Sequence, residues 1–264
     1  MQLLTIPFSH YNERARWALQ HHGVAALERR YLPMLHLRAV RAVVPRAQRV
    51  ADKVGSGLST PVLVLDDGRV LNDSSEIVQW ADATHGTEAS SLYPADQRAE
   101  ILALEQRLHD SAGRDTRFMA YWYLLDDADA LAALVRANVS WWQRAVFTLG
   151  ASAARSGMRR RLGLTSTRHQ KVRERLTATL AELGALLGDR PYYVGDRFSA
   201  ADLTAAALLS PVLHPLPRYG ASLPPLTGPF QEFRAEVAST VAGQHALRMY
   251  AQHRGDPPAG WSLR

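Results

Sequence analysis

Three short stretches in the first third of the chain set polar residues where an extended run gives way to a helix or a turn. In FSHYNERARWALQHHG (8–23), Ser9 stands at the end of an apolar run and the start of a helical pattern. In STPV (59–62), Pro61 immediately precedes a predicted hairpin, and in LNDSSEI (71–77), Asp73 and Ser74 open another helical pattern. A hydroxyl or carboxylate at a helix start either caps free backbone N–H groups or joins them in holding a ligand. Local sequence leaves both readings open for Ser9, Asp73 and Ser74.

Other chemistry is excluded by what is missing. The chain has no cysteine, which removes disulfides, thiolate metal sites, iron–sulfur clusters and any protein thiol nucleophile. It has no GxxxxGK[ST] loop, no GxGxxG, no GxSxG and no HExxH. The ten histidines are scattered, and the adjacent His21 and His22 cannot converge on one metal from a helix, so no metal site is expected.

The elements that would position the polar stretches follow from apolar spacing. Leu3 to Phe8 reads as a short buried strand. Glu13 to His22 places Ala15, Trp17, Ala18 and Leu19 at helical spacing, with Gly23 where a helix-ending glycine belongs. A second strand is predicted near Glu28 to Leu32, and residues 62–65 and 69–71 around Asp66-Asp67-Gly68 predict a hairpin. Ile77, Val78, Trp80 and Ala81 mark the helix that follows. The order is that of an α/β half built on a mixed sheet.

Residues 85–94 carry Gly, Thr, Ser and Pro and divide the chain into 1–84 and 95–264. Beyond them the pattern is helical: Ala95 to Leu125, Asp126 to Leu149, and Thr167 to Leu187 with Leu176, Leu180, Leu183 and Leu187 on one stripe. In PYYVGDRFSAADLTAAALL, Ser199 and Asp202 have capping-box spacing, and Phe198 and Leu203 the spacing of a hydrophobic staple. A buried helix is expected from Ala200, stopping before Pro211, and one last helix from about Gln231 to His253.

The 264 residues are 47% apolar and 21% charged, ordinary globular usage. No apolar run approaches the roughly 18 residues that span a bilayer. MQLLTIPF lacks the basic region of a secretory signal, so a soluble cytoplasmic protein is expected. The net charge of +6 is spread over both halves, and nucleic acid is not an expected partner. One run is strongly basic: Arg155 to Arg175 holds eight cations against the single Glu174. It reads first as a solvated helix face, with an anionic ligand, a partner or a membrane surface as alternatives. Upstream, Trp141, Trp142 and Phe147 make 140–165 a candidate amphipathic surface helix or an added wall of a substrate cleft.

Taken together, the three polar stretches and the PYYVGDRFSAADL segment resemble the glutathione transferase superfamily over nearly the whole chain. The resemblance implies a thioredoxin-like α/β N-terminal domain (1–84), a linker (85–94) and an all-α C-terminal helical domain (95–264). It implies a homodimeric, cytoplasmic detoxification enzyme that uses glutathione as co-substrate, needs no metal, and meets a membrane at most peripherally. Ser9 then matches the hydroxyl that hydrogen-bonds the glutathione sulfur, with Tyr11 as second candidate. Thr60, Pro61 and Val62 match the cis-proline loop, with the backbone of Val62 pairing to the tripeptide. Asp73 and Ser74 match the pair holding the γ-glutamyl group. Arg117 and Tyr121, beside Trp122 and Tyr123, fall where relatives build the electrophile site. Arg49 and Lys53 are the candidates for the glycine carboxylate. His10 stands where many relatives have proline, and Asn12 where redox members have a second cysteine, so the reactive sulfur must come from the ligand. A non-catalytic carrier or interaction module of the same fold is the alternative.

Overall fold

The computed structural model describes residues 1–49, 57–215 and 220–264. The α/β half runs β1 (Gln2–Thr5), α1 (His10–His21), β2 (Leu27–Arg30), α2 (His36–Val43), β3 (Val62–Val64), β4 (Val70–Leu71) and α3 (Ser74–His85). The helical half follows with α4 (Arg98–Asp110), α5 (Ala112–Leu124), α6 (Ala128–Asn138), α7 (Trp141–Leu162), α8 (Ser166–Leu187), α9 (Ala200–Leu213), α10 (Gly228–Ser239) and α11 (Val241–His253). A last strand, β5 (Ser262–Leu263), returns to the sheet, whose order is β4-β3-β1-β2-β5. β1 pairs parallel to β2 and antiparallel to β3, as expected of a mixed sheet.

Alternation along β1 sends neighbouring leucines to opposite faces. Leu3 packs with Ala15 and Leu19 of α1 and Ile77 and Ala81 of α3, whereas Leu4 packs with Val40 of α2 and Val62. The sheet is thus covered on both sides, and the turn after β1 emerges at the seam between its layers and the helical half. α1 serves both halves, because Trp17 and Ala18 join the large core formed around α9. The predicted C-terminal glycine of α1 is there: Gly23 has φ of +66°, which an L side chain adopts only with strain.

α9 starts at Ala200 behind the expected capping box of Ser199 and Asp202, but it does not stop before Pro211. Proline at that point leaves the Ala207 carbonyl without its N–H, and the Ser210 hydroxyl takes it up at 2.7 Å, so the helix runs on to Leu213. The single helix expected over 231–253 is two, separated at Thr240, whose side chain caps α11 by accepting from the Gly243 N–H at 3.0 Å. The pattern expected to end at Leu149 breaks at Val139–Ser140 and then continues to Leu162. β5 was not anticipated: two exposed residues carry no strand pattern, and only the neighbouring β2 edge makes them one.

Candidate active site

Ser9 is the N-cap of α1, in extended backbone (φ −84°, ψ 127°), with its carbonyl accepting from the Glu13 N–H at 2.9 Å. Its side chain does not cap the helix and has no partner among the described residues. A half-buried hydroxyl therefore stands free beside the unpaired N–H groups and the positive end of a twelve-residue helix dipole.

The proline loop is tied to this turn from α1. Asn12 is fully buried, and its amide donates to the Thr60 hydroxyl at 3.1 Å and to the Ile6 carbonyl at 3.2 Å. The Thr60–Pro61 peptide is cis, as the resemblance implied. Val62 pairs with Leu4 on one side, while on the other the ladder reaches only Leu63–Leu71, because β4 ends there. One backbone edge of Val62 is left without a strand partner among the described residues.

Asp73 is the exposed N-cap of α3 and accepts from the Ser75 N–H at 2.6 Å. Ser74, the first residue of that helix, is buried, and its hydroxyl accepts from Arg14 of α1 at 3.3 Å. The same guanidinium donates to the Ser75 hydroxyl at 2.8 Å and to Glu105 of α4 at 2.6 Å. Glu105 also accepts from the Tyr93 hydroxyl at 2.9 Å and the Thr204 hydroxyl at 2.8 Å. A buried ion pair with every carboxylate oxygen satisfied thus fixes the start of α3 against both α1 and the helical half, while the buried Arg14 Nε has no partner among the described residues.

The residues after Ser9 face α5. The buried His10 ring lies 2.8 Å from the Gly113 carbonyl through Nε2, and burial, with Arg117 and His109 adding to it, lowers its pKa to about 3. The ring is therefore neutral and its Nε2–H donates. Tyr11 packs its phenol over Gly113, where a Cβ would come within 2.5 Å of the hydroxyl oxygen, so only glycine fits under it. Burial raises the Tyr11 pKa, against the opposing charges of Arg117, Arg14 and Arg114. Arg117, one turn further along α5, has no hydrogen-bond or ion-pair partner among the described residues, and its charge reaches His10, Tyr11 and Tyr121. It also lines a groove of about 660 Å³ between α5 and α8, with Phe118 and Leu162 among its apolar walls.

The three polar stretches therefore meet: Asn12 links the Ser9 turn to Thr60, and Arg14 links α1 to Ser74. Arg117 joins them from the helical half, with the half-buried Tyr121 beside it. Trp122 and Tyr123 turn elsewhere, Trp122 stacking on His169 (4.4 Å between ring centroids) and Tyr123 on Phe230 (5.0 Å). Arg49 donates to the Val44 carbonyl at 3.1 Å and the Arg41 carbonyl at 2.9 Å, ending α2, and Lys53 lies outside the described residues. Asn12, Arg14 and Glu105 were missed as site residues. In sequence Arg14 is one charge in the run Glu13-Arg14-Ala15-Arg16, and only the cover of a second domain buries it. Among the described residues no group of three metal-ligating side chains converges.

Comparison with known proteins covers both halves. The family model for the N-terminal domain of glutathione S-transferase matches residues 3–89, and that for the C-terminal domain matches 128–229, together more than half of the chain. Among solved structures, a glutathione S-transferase of Ceriporiopsis subvermispora in complex with glutathione aligns with a TM-score of 0.62 at 18% identity, over 98% of this chain and 99% of that one. A beta-etherase from Sphingobium sp. strain SYK-6 aligns with a TM-score of 0.58 at 15% identity, over 94% and 98%. A glutathione S-transferase from Methylobacterium radiotolerans, in complex with glutathione sulfonate, aligns with a TM-score of 0.52 at 19% identity, over 93% of each chain. At these identities the likeness is one of fold. No curated protein matches the sequence.

Proposed function

The chain belongs to the glutathione transferase superfamily, and on that premise we propose that it binds glutathione in the cleft headed by Ser9 and transfers it to a soft electrophile. The observation that carries this reading is the Ser9 hydroxyl, which does not cap α1 and has no partner among the described residues. Bound glutathione would lay its cysteinyl backbone along the open edge of Val62 after Thr60-Pro61, as an added strand. Its γ-glutamyl carboxylate would meet Ser74 and the free N–H groups of α3, and its ammonium Asp73. Ser9 would donate its O–H to the sulfur. With the helix N-terminus, that favours the thiolate, the thiol proton leaving to solvent.

The thiolate then attacks an electrophilic carbon. An S–C bond forms as a leaving group departs with its electron pair, or, in conjugate addition, the pair moves onto an electron-withdrawing group that water protonates. The chain's share of the work is ionisation of the sulfur and juxtaposition of the reactants. Arg117, without a hydrogen-bond or ion-pair partner among the described residues and beside Tyr121, would orient a substrate carrying an anionic group. With this reading go a glutathione-binding unit at 1–84, an electrophile wall on 95–264, and the homodimeric, cytoplasmic state the resemblance implies.

Calorimetric titration of glutathione into the wild type and Asp73→Asn tests it. Asparagine caps a helix as well as aspartate does, so α3 is kept and only the charge is lost. Wild-type binding in the micromolar to millimolar range, weakened about tenfold or more in the variant, is expected for loss of a charge-assisted hydrogen bond. No binding to the wild type would leave a non-catalytic module of this fold.

A further inference from the structure

α7 carries a feature that the cleft does not use. Its 22 residues include Arg144, Arg155, Arg159, Arg160 and Arg161 and not one Asp or Glu. Its inner side is pinned to the body of the protein. Gln143 accepts from the Leu32 N–H at 2.8 Å and donates to the Arg30 carbonyl at 2.8 Å, Arg155 donates to the Leu125 carbonyl, and Arg159 pairs with Asp126.

The outer side is apolar and bare. Trp141 is 77% exposed, Trp142 42%, Val146 49% and Leu149 91%. Seven large hydrophobic residues are exposed among those described; four lie on this face and a fifth, Met34, touches Arg161 at the far end of the helix. Apolar surface concentrated to this degree marks a contact site.

We propose that α7 lies on an anionic lipid surface, with Trp141, Trp142, Val146 and Leu149 at the headgroup boundary and Arg160 and Arg161 on the phosphates. The helix is about 33 Å long, with the paired tryptophans at its start and Arg160 and Arg161 in its last turn, a distribution that suits an interface with an apolar and a wet side. No helix among the described residues is long and apolar enough to cross a membrane, so the contact is one of surface. A second copy fits the face poorly. A two-fold contact sets a patch against itself, and with no carboxylate on α7 it would leave Arg160 and Arg161 no acidic partner on the facing helix.

Cosedimentation of the full chain with vesicles of phosphatidylglycerol and phosphatidylcholine in equal parts tests this, against phosphatidylcholine alone. The wild type should bind the anionic vesicles, bind phosphatidylcholine far less, and release with added salt. Trp141→Ser with Leu149→Ser should weaken partition by about tenfold or more, as should Arg160→Glu with Arg161→Glu. All four positions are exposed or on the rim of α7, and an unchanged urea midpoint verifies the fold. Failure of the wild type to bind, equal binding to neutral vesicles, or unchanged binding by the Trp141→Ser/Leu149→Ser variant would each overturn the proposal. So would a wild-type dimer that this variant dissolves, which would assign the face to a second copy.

Discussion

Ser9 and Arg14 lie five residues apart on one helix, and their polar groups end in opposite conditions. Arg14 is fully buried, and both its Nη atoms are engaged, on the hydroxyls of Ser74 and Ser75 and on a carboxylate that itself accepts from Tyr93 and Thr204. Ser9 sits half-buried at the helix start with no partner for its hydroxyl among the described residues. One residue before Arg14 the pairing continues: burial disfavours ionisation of Glu13, but Arg254 and Arg16 outweigh it and hold the carboxyl below its ordinary range. The contrast separates scaffold from site. A buried charge is tolerated when it is paired with an opposite charge that is itself satisfied, as Arg14 is with Glu105 although its Nε has no partner among the described residues, whereas a group meant for a ligand keeps its bonding capacity in reserve.

The largest effect should come from breaking the saturated end. Glu105→Ala leaves the Arg14 guanidinium buried and unpaired, and should cost about 3–5 kcal/mol in urea unfolding. Arg14→Met combined with Glu105→Leu sharpens the point. An apolar pair of similar volume should recover most of that stability, yet glutathione affinity should stay low, because nothing then holds the hydroxyls at the start of α3. Recovery of both together would mean that Arg14 has no part in shaping the site.

At the open end the signs reverse. Ser9→Ala removes a side chain with no hydrogen-bond partner among the described residues, so stability should hold within about 0.5 kcal/mol. Turnover with a simple aryl halide should fall about ten- to a hundredfold, with glutathione affinity nearly intact, because the hydroxyl acts on the sulfur rather than on the tripeptide's grip. Equal loss of affinity and turnover would make Ser9 a binding group only.

The two conditions were not equally legible in sequence. The cis Thr60–Pro61 bond was implied by the family resemblance alone, whereas Ser9 at the start of α1 and the capping of α3 by Asp73 follow from local rules about which residues start helices. The capping box at Ser199 and Asp202 was legible for the same reason. What escaped depends on contacts between distant segments. Glu13, Arg14 and Arg16 have the look of a solvated face, and they are buried because α1 is wedged between the sheet and α9. The extension of α9 past Pro211 rests on a hydroxyl, Ser210, that takes over an orphaned carbonyl. β5 exists only because β2 has a free edge. The exposed face of α7 lay between these cases: its tryptophans and arginines were evident, but which way they point was not.

The smallest expected effect decides between the two hydroxyls at the open end. Tyr11 follows Ser9 by two residues and has its phenol against Gly113, in a space that would not admit a Cβ. Burial pushes its pKa up even with Arg117 and Arg14 nearby, so it is a poorer acid than a free phenol and a weaker donor to an anionic sulfur. Tyr11→Phe keeps the ring that fills this contact and removes only the oxygen. Turnover should change by less than about threefold, and the pH dependence should follow the wild type, since neither the phenol nor the neutral His10 titrates between pH 5 and 8. If Tyr11→Phe instead loses the ten- to a hundredfold expected of Ser9→Ala, and Ser9→Ala loses little, the sulfur sits one residue pair deeper. The unused hydroxyl of Ser9 would then be a helix start and nothing more.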